Sequence, residues 1–220
     1  MPKYSEFLID LDGTITDSGY AIMSSVQYAL SKLGYDHQPE EILRKFVGPS
    51  LMDSFQNLYG MTEDQAREAV KLYREIYETD RMFEVTLYPR VEDILKKNRE
   101  MGFRNILVTS KPHIFAARIL EKLGLDHYFA YQTGPEMKDP SSEKVRLIRK
   151  AMEELSLDSA NCVMIGDTKF DIIGANEAGI DSVGVTYGYG TREELVENRA
   201  TYLVDDLYAW FEENVWWLMP

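Results

Sequence analysis

The chain has 220 residues, 45% of them hydrophobic, enough for one substantial core or for a core domain with a smaller partner. Its formal net charge of -13, from 37 acidic and 24 basic residues, excludes nucleic acid and anionic membranes from the expected partners. The single cysteine, Cys162, has no internal disulfide partner, and no segment has the length of a membrane span or the apolar core of a signal peptide. We therefore expect a soluble cytoplasmic protein.

The first predicted strand is an apolar run at residues 7–9 that ends in charged and flexible residues. Asp10 and Asp12 follow it two positions apart, so an extended backbone would point both carboxylates to the same side. Gly13 allows a sharp turn, and Thr14 adds a hydroxyl and an amide at the same place. Because the two carboxylates repel each other, this arrangement predicts a cationic partner beside them.

Residues 21–77 have the periodicity of amphipathic helices, with an interruption at Gly48 and Pro49. Thr62 and Gln65 form a predicted capping box at the start of one of these helices. No strand is predicted in this stretch, which is too long for a connecting loop. It is therefore interpreted as a helical insertion after the first strand.

From Tyr88 onward, predicted strands alternate with predicted helices. The strands lie at residues 103–110, 128–132, 162–167, 181–188 and 201–206, and the helices begin near Pro89, Pro112, Ser142 and Asp171. Strands connected in this way form right-handed crossovers and a parallel sheet. The pattern predicts an α/β fold, a doubly wound parallel sheet with an inserted all-helical unit.

Polar residues follow several of these strands, and ligands of doubly wound sheets bind at the carboxyl ends of the strands. The residues at these ends are Asp10, Asp12, Thr109, Ser110, Lys111, Gly166, Asp167 and Asp171, with Lys144 at the start of the helix before the 162–167 strand. Carboxylates, a hydroxyl and an ammonium at one edge predict a site for a hard cation and a phosphate. Taken singly, Thr109 and Asp171 are also compatible with helix caps, and Lys144 with a solvated lysine.

The ordered motifs resemble those of the haloacid dehalogenase superfamily of aspartyl-phosphate phosphohydrolases. They are DLDGT at 10–14, VTSKP at 108–112, Lys144 and GDTKFD at 166–171. The stretches FVGPSL at 46–51 and VTYGYGTREEL at 185–195 are most similar to the 5'-nucleotidase-like and phosphoglycolate-phosphatase-like branch. The resemblance implies a Rossmann-like core at residues 1–16 and 84–220, with a helical cap at 17–83.

The resemblance also implies the reaction. Asp10 would attack a phosphoryl group and become an aspartyl phosphate, and Asp12 would act as general acid and base. Mg²⁺ would be held by the Asp10 carboxylate, the Asp12 backbone carbonyl and Asp167, with Asp171 orienting these ligands. Asp12 argues against the dehalogenase branch, which lacks it.

Further residues would bind the substrate. Thr109 and backbone amides near Gly13 and Ser110 would hold the transferring oxygens, and Lys144 would offset the charge repulsion. The expected substrate-binding residues are Gly13, Thr14, Ser110, Lys111, Gly48, Pro49 and Ser50. The loop of Gly48, Pro49 and Ser50 is equally compatible with a plain break between helices.

Some assignments stay open from the sequence. Lys144 is the chosen catalytic lysine, and Lys138 is its rival because the usual Lys-Pro pair is missing in this region. Arg90 occupies a position where the branch commonly has glycine. The tail VWWLMP at 215–220 is compatible with helix packing or with a dimer contact, so either a monomer or a homodimer is expected.

The expected substrate is a small phosphorylated metabolite, preferably a nucleoside 5'-monophosphate. The cap is rich in Tyr and Phe, which suit a nucleobase, and no cap arginine or lysine lies on an obvious apolar face to bind a small acid. Phosphoglycolate is the first alternative. A sugar-phosphate mutase shares all the core residues, whereas a non-catalytic regulator would usually lack the nucleophile or a metal carboxylate, and both are present.

Overall fold

The computed structural model describes residues 3–79, 81–137 and 143–218. Its strands are Glu6–Ile9 (β1), Thr16–Asp17 (β2), Thr86–Leu87 (β3), Arg104–Val108 (β4), Phe129–Thr133 (β5), Cys162–Gly166 (β6), Asp181–Val185 (β7) and Tyr202–Val204 (β8). Six of them form one parallel sheet in the order β5-β4-β1-β6-β7-β8. This topology, with the first strand in the middle, confirms the predicted α/β fold.

Helices surround the sheet and fill the insertion. They are Gly19–Lys32 (α1), Glu40–Arg44 (α2), Leu51–Tyr59 (α3), Glu63–Tyr77 (α4), Val91–Glu100 (α5), His113–Leu123 (α6), Lys144–Glu154 (α7), Lys169–Ala178 (α8), Arg192–Glu197 (α9) and Leu207–Asn214 (α10). Helices α1 to α4 are called the helical insertion below. The predicted capping box of Thr62 and Gln65 opens α4. Within the described ranges, no helix combines the length and apolarity needed to cross a bilayer.

The central strand β1 carries apolar side chains on both faces. Phe7 and Ile9 pack into one apolar cluster, which includes side chains of α5, α6 and α10, and Leu8 packs into another with α7 and α8. All three are at most 2% exposed. Full burial of one such side chain contributes about 1.5–3 kcal/mol, so β1 is held firmly between two helical layers.

The helical insertion has an apolar core of its own. Phe55 and Tyr73 are buried in it, and Phe115 of α6 joins the same cluster, so the insertion packs directly on the sheet domain. Strands β2 and β3 form an antiparallel ribbon at the point where the chain leaves the sheet domain and returns. Strand β2 includes the first residue of the interval 17–83 and β3 follows its last, and the division of the chain into two domains stays a prediction.

Arg90 has the backbone conformation that glycine adopts without strain. Its φ of 62° lies in the left-handed region, at the N-cap of α5. Its guanidinium lies 3.1 Å from the centre of the Tyr208 ring. The positive φ explains why glycine is common at this position in the branch. In this chain, the arginine at the same position stacks its guanidinium on the Tyr208 ring.

The described part of the C-terminal tail packs on the sheet domain. Trp216 is 5% exposed, its indole N–H donates to Asn98 Oδ1 at 3.0 Å, and its ring stacks on Phe211. Trp217 is 66% exposed. Helix packing therefore accounts for the first tryptophan of the tail, and Met219 and Pro220 lie outside the described residues.

Candidate active site

Three neighbouring strands bring the predicted site residues to one edge of the sheet. Strand β1 lies between β4 and β6, and Ile9 pairs in register with Leu107 and Ile165. The residues just beyond these pairs therefore lie side by side. They are Asp10 and Asp12 after β1, Thr109, Ser110 and Lys111 after β4, and Asp167 after β6.

The centre of this edge is a buried cluster of three carboxylates, called the acidic triad below. Asp10, Asp167 and Asp171 each provide an oxygen that lies within 4.8 Å of the other two. Lys144 Nζ lies 2.8 Å from Asp10 Oδ1 and 2.8 Å from Asp171 Oδ1, and it donates to the Val108 carbonyl at 3.1 Å. One ammonium against three carboxylates leaves an excess of negative charge around oxygen ligands, which suits a hard divalent cation.

The pKa values of the triad residues and of Lys144 reflect the same excess of negative charge. Burial raises the pKa of Asp10 to about 7, although the Lys144 ammonium opposes the shift. Burial and the charges of Asp171 and Asp10 raise the pKa of Asp167 well above its usual range. Burial lowers the pKa of Lys144, but the adjacent carboxylates outweigh this effect and raise it above its ordinary value. The triad therefore fits a cation such as Mg²⁺, whose charge would let the carboxylates ionise together.

Two glycines allow the backbone to approach the triad. Gly13 has a φ of 92°, and a Cβ at this position would lie 2.1 Å from Asp167 Oδ2. A Cβ on Gly166 would lie 2.2 Å from Asp171 Cγ. Thr14 Oγ1 donates to Asp167 Oδ1 at 3.2 Å. Gly13 and Thr14, predicted to bind substrate, therefore also shape the triad.

Asp171 forms the helix cap that the sequence allows and also belongs to the acidic triad. Its Oδ2 accepts hydrogen bonds from the Thr168 N–H at 3.0 Å and the Thr168 hydroxyl at 2.8 Å, as in a helix cap at the start of α8. Its Oδ1 faces Lys144. Thr109 caps no helix, because α6 begins at His113 and Thr109 Oγ1 accepts from the Lys111 N–H at 3.1 Å.

Asp12 has a separate cationic partner. Its Oδ2 lies 2.9 Å from Lys111 Nζ, which also donates to the Tyr77 hydroxyl at 2.6 Å. All three residues are buried. Asp12 Oδ1 is also buried, and no group in the described parts of the chain donates a hydrogen bond to it. Each of the two paired aspartates thus has its own lysine, and one oxygen of Asp12 is left for an incoming group.

A cleft between the sheet domain and the helical insertion leads to Asp12. It encloses about 820 Å³ of empty space, part of it open to solvent, and Asp12, Ser110 and Lys111 lie in its wall. The opposite wall includes the predicted loop Gly48, Pro49 and Ser50. A Cβ on Gly48 would lie 3.2 Å from Thr168 Cγ2, so this loop also reaches the edge of the sheet.

Helix α4 adds cleft residues that the sequence analysis did not assign to the site. Tyr73, Arg74 and Tyr77 line the cleft. The apolar pattern predicts that Tyr73 lies on a buried helix face, but it does not include Tyr77 and does not show that this face reaches Lys111. The sequence places no cap arginine or lysine on an obvious apolar face, and Arg74, which follows Tyr73 of the apolar stripe, lines the cleft.

The two candidate lysines differ in what the structure says of them. Lys144 is 6% exposed and forms ion pairs with two carboxylates of the triad. Lys138 lies outside the described residues. The contacts of Lys144 therefore support its assignment as the catalytic lysine, and the choice between the two lysines stays a prediction.

Comparisons with known proteins agree with this geometry. The sequence model of the haloacid dehalogenase-like hydrolase family matches residues 7–185. A protein named 5'-nucleotidase from Pseudomonas aeruginosa is 35% identical over 94% of this chain and 94% of its own length. A protein named phosphoglycolate phosphatase from Neisseria gonorrhoeae is 32% identical over 87% of this chain and 84% of its own length.

A solved structure is similar over almost the whole chain. The crystal structure of a predicted phosphatase from Clostridium acetobutylicum superposes with a TM-score of 0.91 at 38% identity, covering 96% of this chain and 97% of that one. The chain therefore belongs to the haloacid dehalogenase-like hydrolases, which confirms the family and the phosphatase class of enzyme that the sequence motifs predict.

Proposed function

We propose that this protein is a Mg²⁺-dependent phosphatase that hydrolyses a small phosphomonoester, preferably a nucleoside 5'-monophosphate, through an aspartyl phosphate at Asp10. The observation that carries the proposal is the separation of charges at the sheet edge. Asp10 is paired with Lys144 inside the acidic triad, whereas Asp12 is paired with Lys111 beside the cleft. The two carboxylates therefore have environments suited to different tasks.

The metal would be held by the carboxylates of Asp10 and Asp167 and the backbone carbonyl of Asp12, with Asp171 orienting them through Lys144 and Thr168. These are oxygen ligands of the kind that Mg²⁺ prefers. When bound, Mg²⁺ supplies positive charge that neutralises the carboxylates and the transferring phosphoryl group. The donation from Thr14 to Asp167 supports this assignment.

The protein residues would share the two steps. Asp10 attacks phosphorus, and the ester oxygen departs with a proton from Asp12. Asp12 then removes a proton from the water that attacks the aspartyl phosphate, which releases phosphate and regenerates Asp10. The unpartnered Asp12 Oδ1 supports this role, because a leaving oxygen or a water would give it a hydrogen-bond partner. Thr109 and the amides near Gly13 and Ser110 would hold the phosphoryl oxygens.

The preference for a nucleotide rests on the cleft and on one relative. The cleft is open to solvent on one side, and Phe46, Tyr73 and Phe115 supply aromatic surface in its wall on which a nucleobase could pack. The relative named 5'-nucleotidase aligns over nearly the full chain. Phosphoglycolate is the second candidate, because Lys111 and Arg74 line the same cleft and would attract a carboxylate.

The proposal is tested by phosphate release with Mg²⁺ over a panel of nucleoside monophosphates, phosphoglycolate, sugar phosphates and pyridoxal phosphate, with product identification to detect a mutase. The matched control is Asp10→Asn, for which we expect no turnover and an unchanged or higher melting temperature. Substantial turnover in Asp10→Asn would remove Asp10 from the nucleophile role. If kcat/KM for phosphoglycolate exceeded that of every nucleotide by more than about tenfold, or roughly 1.4 kcal/mol, the nucleotide preference would be wrong.

A further inference from the structure

The loop after β7, residues 187–190 with the sequence Tyr-Gly-Tyr-Gly, has no task in the reaction proposed above. Its two glycines bring the backbone against the acidic triad. A Cβ on Gly188 would lie 2.3 Å from Asp167 Cβ, and one on Gly190 would lie 2.1 Å from the Asp167 carbonyl oxygen. Between them, the Tyr189 N–H donates to Asp167 Oδ2 at 2.8 Å. The loop backbone therefore holds one carboxylate of the triad.

The side chain of Tyr189 points to the place where the chain enters the helical insertion. Its hydroxyl donates to Asp17 Oδ1 at 2.5 Å and accepts from the Gly19 N–H at 2.6 Å. Asp17 ends β2 and Gly19 begins α1, so these bonds fall on the junction, called the hinge below. A Cβ on Gly19 would lie only 3.0 Å from the Tyr189 ring, so the hinge is shaped around this side chain.

The same loop touches the insertion and the returning strand as well. The Tyr189 ring packs on the apolar cluster of the insertion, and the Arg44 guanidinium lies 5.7 Å from its centre. The Tyr187 hydroxyl donates to the Thr14 carbonyl at 3.0 Å, and its ring lies 4.6 Å from that of Tyr88, which follows β3. The loop therefore contacts the acidic triad, Thr14 of the DLDGT motif, strand β2 and the residue that follows β3.

We propose that Tyr189 is a positioning residue that couples the hinge of the helical insertion to Asp167. The inference rests on the proposed function in one respect, since it takes Asp167 as a ligand of Mg²⁺. The backbone of Tyr189 holds Asp167 and its side chain holds the hinge, so a displacement at one end is transmitted to the other within a single residue. By linkage, a cation at the triad then stabilises the hinge, and an ordered hinge strengthens cation binding by the same factor.

A purely structural contact would give a different result. It would stabilise the protein and protect the hinge amides, but Mg²⁺ would not change that protection. The decisive measurement is therefore hydrogen–deuterium exchange of peptides covering residues 17–22, with and without Mg²⁺, together with the Mg²⁺ dissociation constant. The variant is Tyr189→Phe, which keeps the ring and the N–H. The control is Tyr202→Phe, which loses a hydroxyl bonded to Tyr4 at the far edge of the sheet.

We expect Mg²⁺ to slow exchange at residues 17–22 by about tenfold in the wild type and in Tyr202→Phe, and to have no effect on it in Tyr189→Phe. We also expect Tyr189→Phe to weaken Mg²⁺ binding by about tenfold. Asp17→Ala, which removes the other end of the contact, gives the same weakening, and combining it with Tyr189→Phe adds nothing further.

The coupling is overturned if Mg²⁺ protects the hinge equally in the wild type and in Tyr189→Phe, or protects it in neither. It is also overturned if Tyr189→Phe speeds hinge exchange while Mg²⁺ affinity stays unchanged, since Tyr189 would then only attach the insertion. These measurements need no substrate. A failure of the proposed phosphatase activity would therefore appear in the phosphate assay alone and would be distinguishable from a failure of the coupling.

Discussion

The Lys111 ammonium lies 2.9 Å from Asp12 Oδ2, and both side chains are less than 10% exposed. Burial lowers the pKa of Lys111, but the Asp12 carboxylate and the Tyr77 hydroxyl outweigh this and raise it above its ordinary value. Lys111 is therefore charged, and it pairs with one oxygen of Asp12, whereas no described group donates a hydrogen bond to the other. Lys111 was predicted as a substrate contact, and its observed partner is the proposed acid and base.

This pair gives the first prediction, for Lys111→Met. Removing the ammonium leaves a buried carboxylate without its partner, which destabilises the fold by about 3–5 kcal/mol. It also leaves the proposed acid and base without the contact that positions it, so we expect kcat to fall by about 10²-fold or more. Tyr77→Phe keeps the ion pair and loses one hydrogen bond worth about 1 kcal/mol, so its kcat falls by only about fivefold. The measurement is kcat and KM of both variants on the same substrate. A raised KM with unchanged kcat in Lys111→Met would mean that Lys111 acts on the substrate.

Asp12→Ala gives the second prediction. The carboxylate of Asp12 is not part of the acidic triad, so we expect Mg²⁺ binding to persist while kcat falls by about 10²–10⁴-fold, the range for loss of a general acid and base. Asp167→Ala is the matched control and loses Mg²⁺ affinity. Both are measured by calorimetric titration with Mg²⁺ and by turnover at saturating metal. Collapse of metal affinity in Asp12→Ala with normal turnover at saturation would contradict the assignment.

Much of this site could be predicted from the sequence because of how parallel sheets are built. An apolar strand followed by polar residues identifies a strand end, and all such ends in a parallel sheet meet at one edge. This reasoning places Asp10, Thr109 and Asp167 at one edge of the sheet whatever the strand order. The strand order itself depends on tertiary packing, so local sequence patterns do not predict it.

The contacts between the helical insertion and the sheet domain could not be predicted. A helical stripe such as the one containing Tyr73 shows which face is buried, but the partner of that face depends on how the insertion is oriented. Strands β2 and β3 have two residues each, too few for alternation to be recognised. Likewise, the sequence does not show why the 187–190 loop needs glycines. The structure shows that a Cβ on Gly188 or Gly190 would collide with Asp167.

The third prediction compares Lys144→Ala with Lys138→Ala. Lys144 neutralises Asp10 and Asp171 inside the triad, so its loss leaves buried carboxylates without a cation, and we expect kcat to fall by about 10²-fold or more. Lys138→Ala should stay close to the wild type. The readouts are kcat and the melting temperature, because an unfolded variant would also lose activity. A larger fall in kcat for folded Lys138→Ala than for folded Lys144→Ala would identify Lys138 as the catalytic lysine, and equal effects would contradict the choice of Lys144.

The last prediction concerns Arg74, the cleft cation that the sequence did not point to. Its side chain is 32% exposed and its Nε lies 4.0 Å from Glu78 Oε1, too far for a hydrogen bond, so the guanidinium keeps binding capacity toward the cleft. The glycolate leaving group of phosphoglycolate carries a carboxylate, whereas a nucleoside is neutral. Loss of a hydrogen bond to a charged group costs about 1.5–3 kcal/mol, so Arg74→Gln should lower kcat/KM for phosphoglycolate by about 10–100-fold.

For a nucleoside 5'-monophosphate the same substitution should change kcat/KM by less than about threefold, since no charged contact is lost from a neutral leaving group. Arg67→Gln is the matched control, because Arg67 lies on the same helix but is exposed and pairs with Glu63 instead of lining the cleft. It should leave both substrates unaffected. An equal loss for both substrates in Arg74→Gln would show that Arg74 acts on the phosphoryl group or on the position of α4. A loss confined to phosphoglycolate would make Arg74 a specificity residue, and comparing the two wild-type kcat/KM values would then decide which leaving group the cleft prefers.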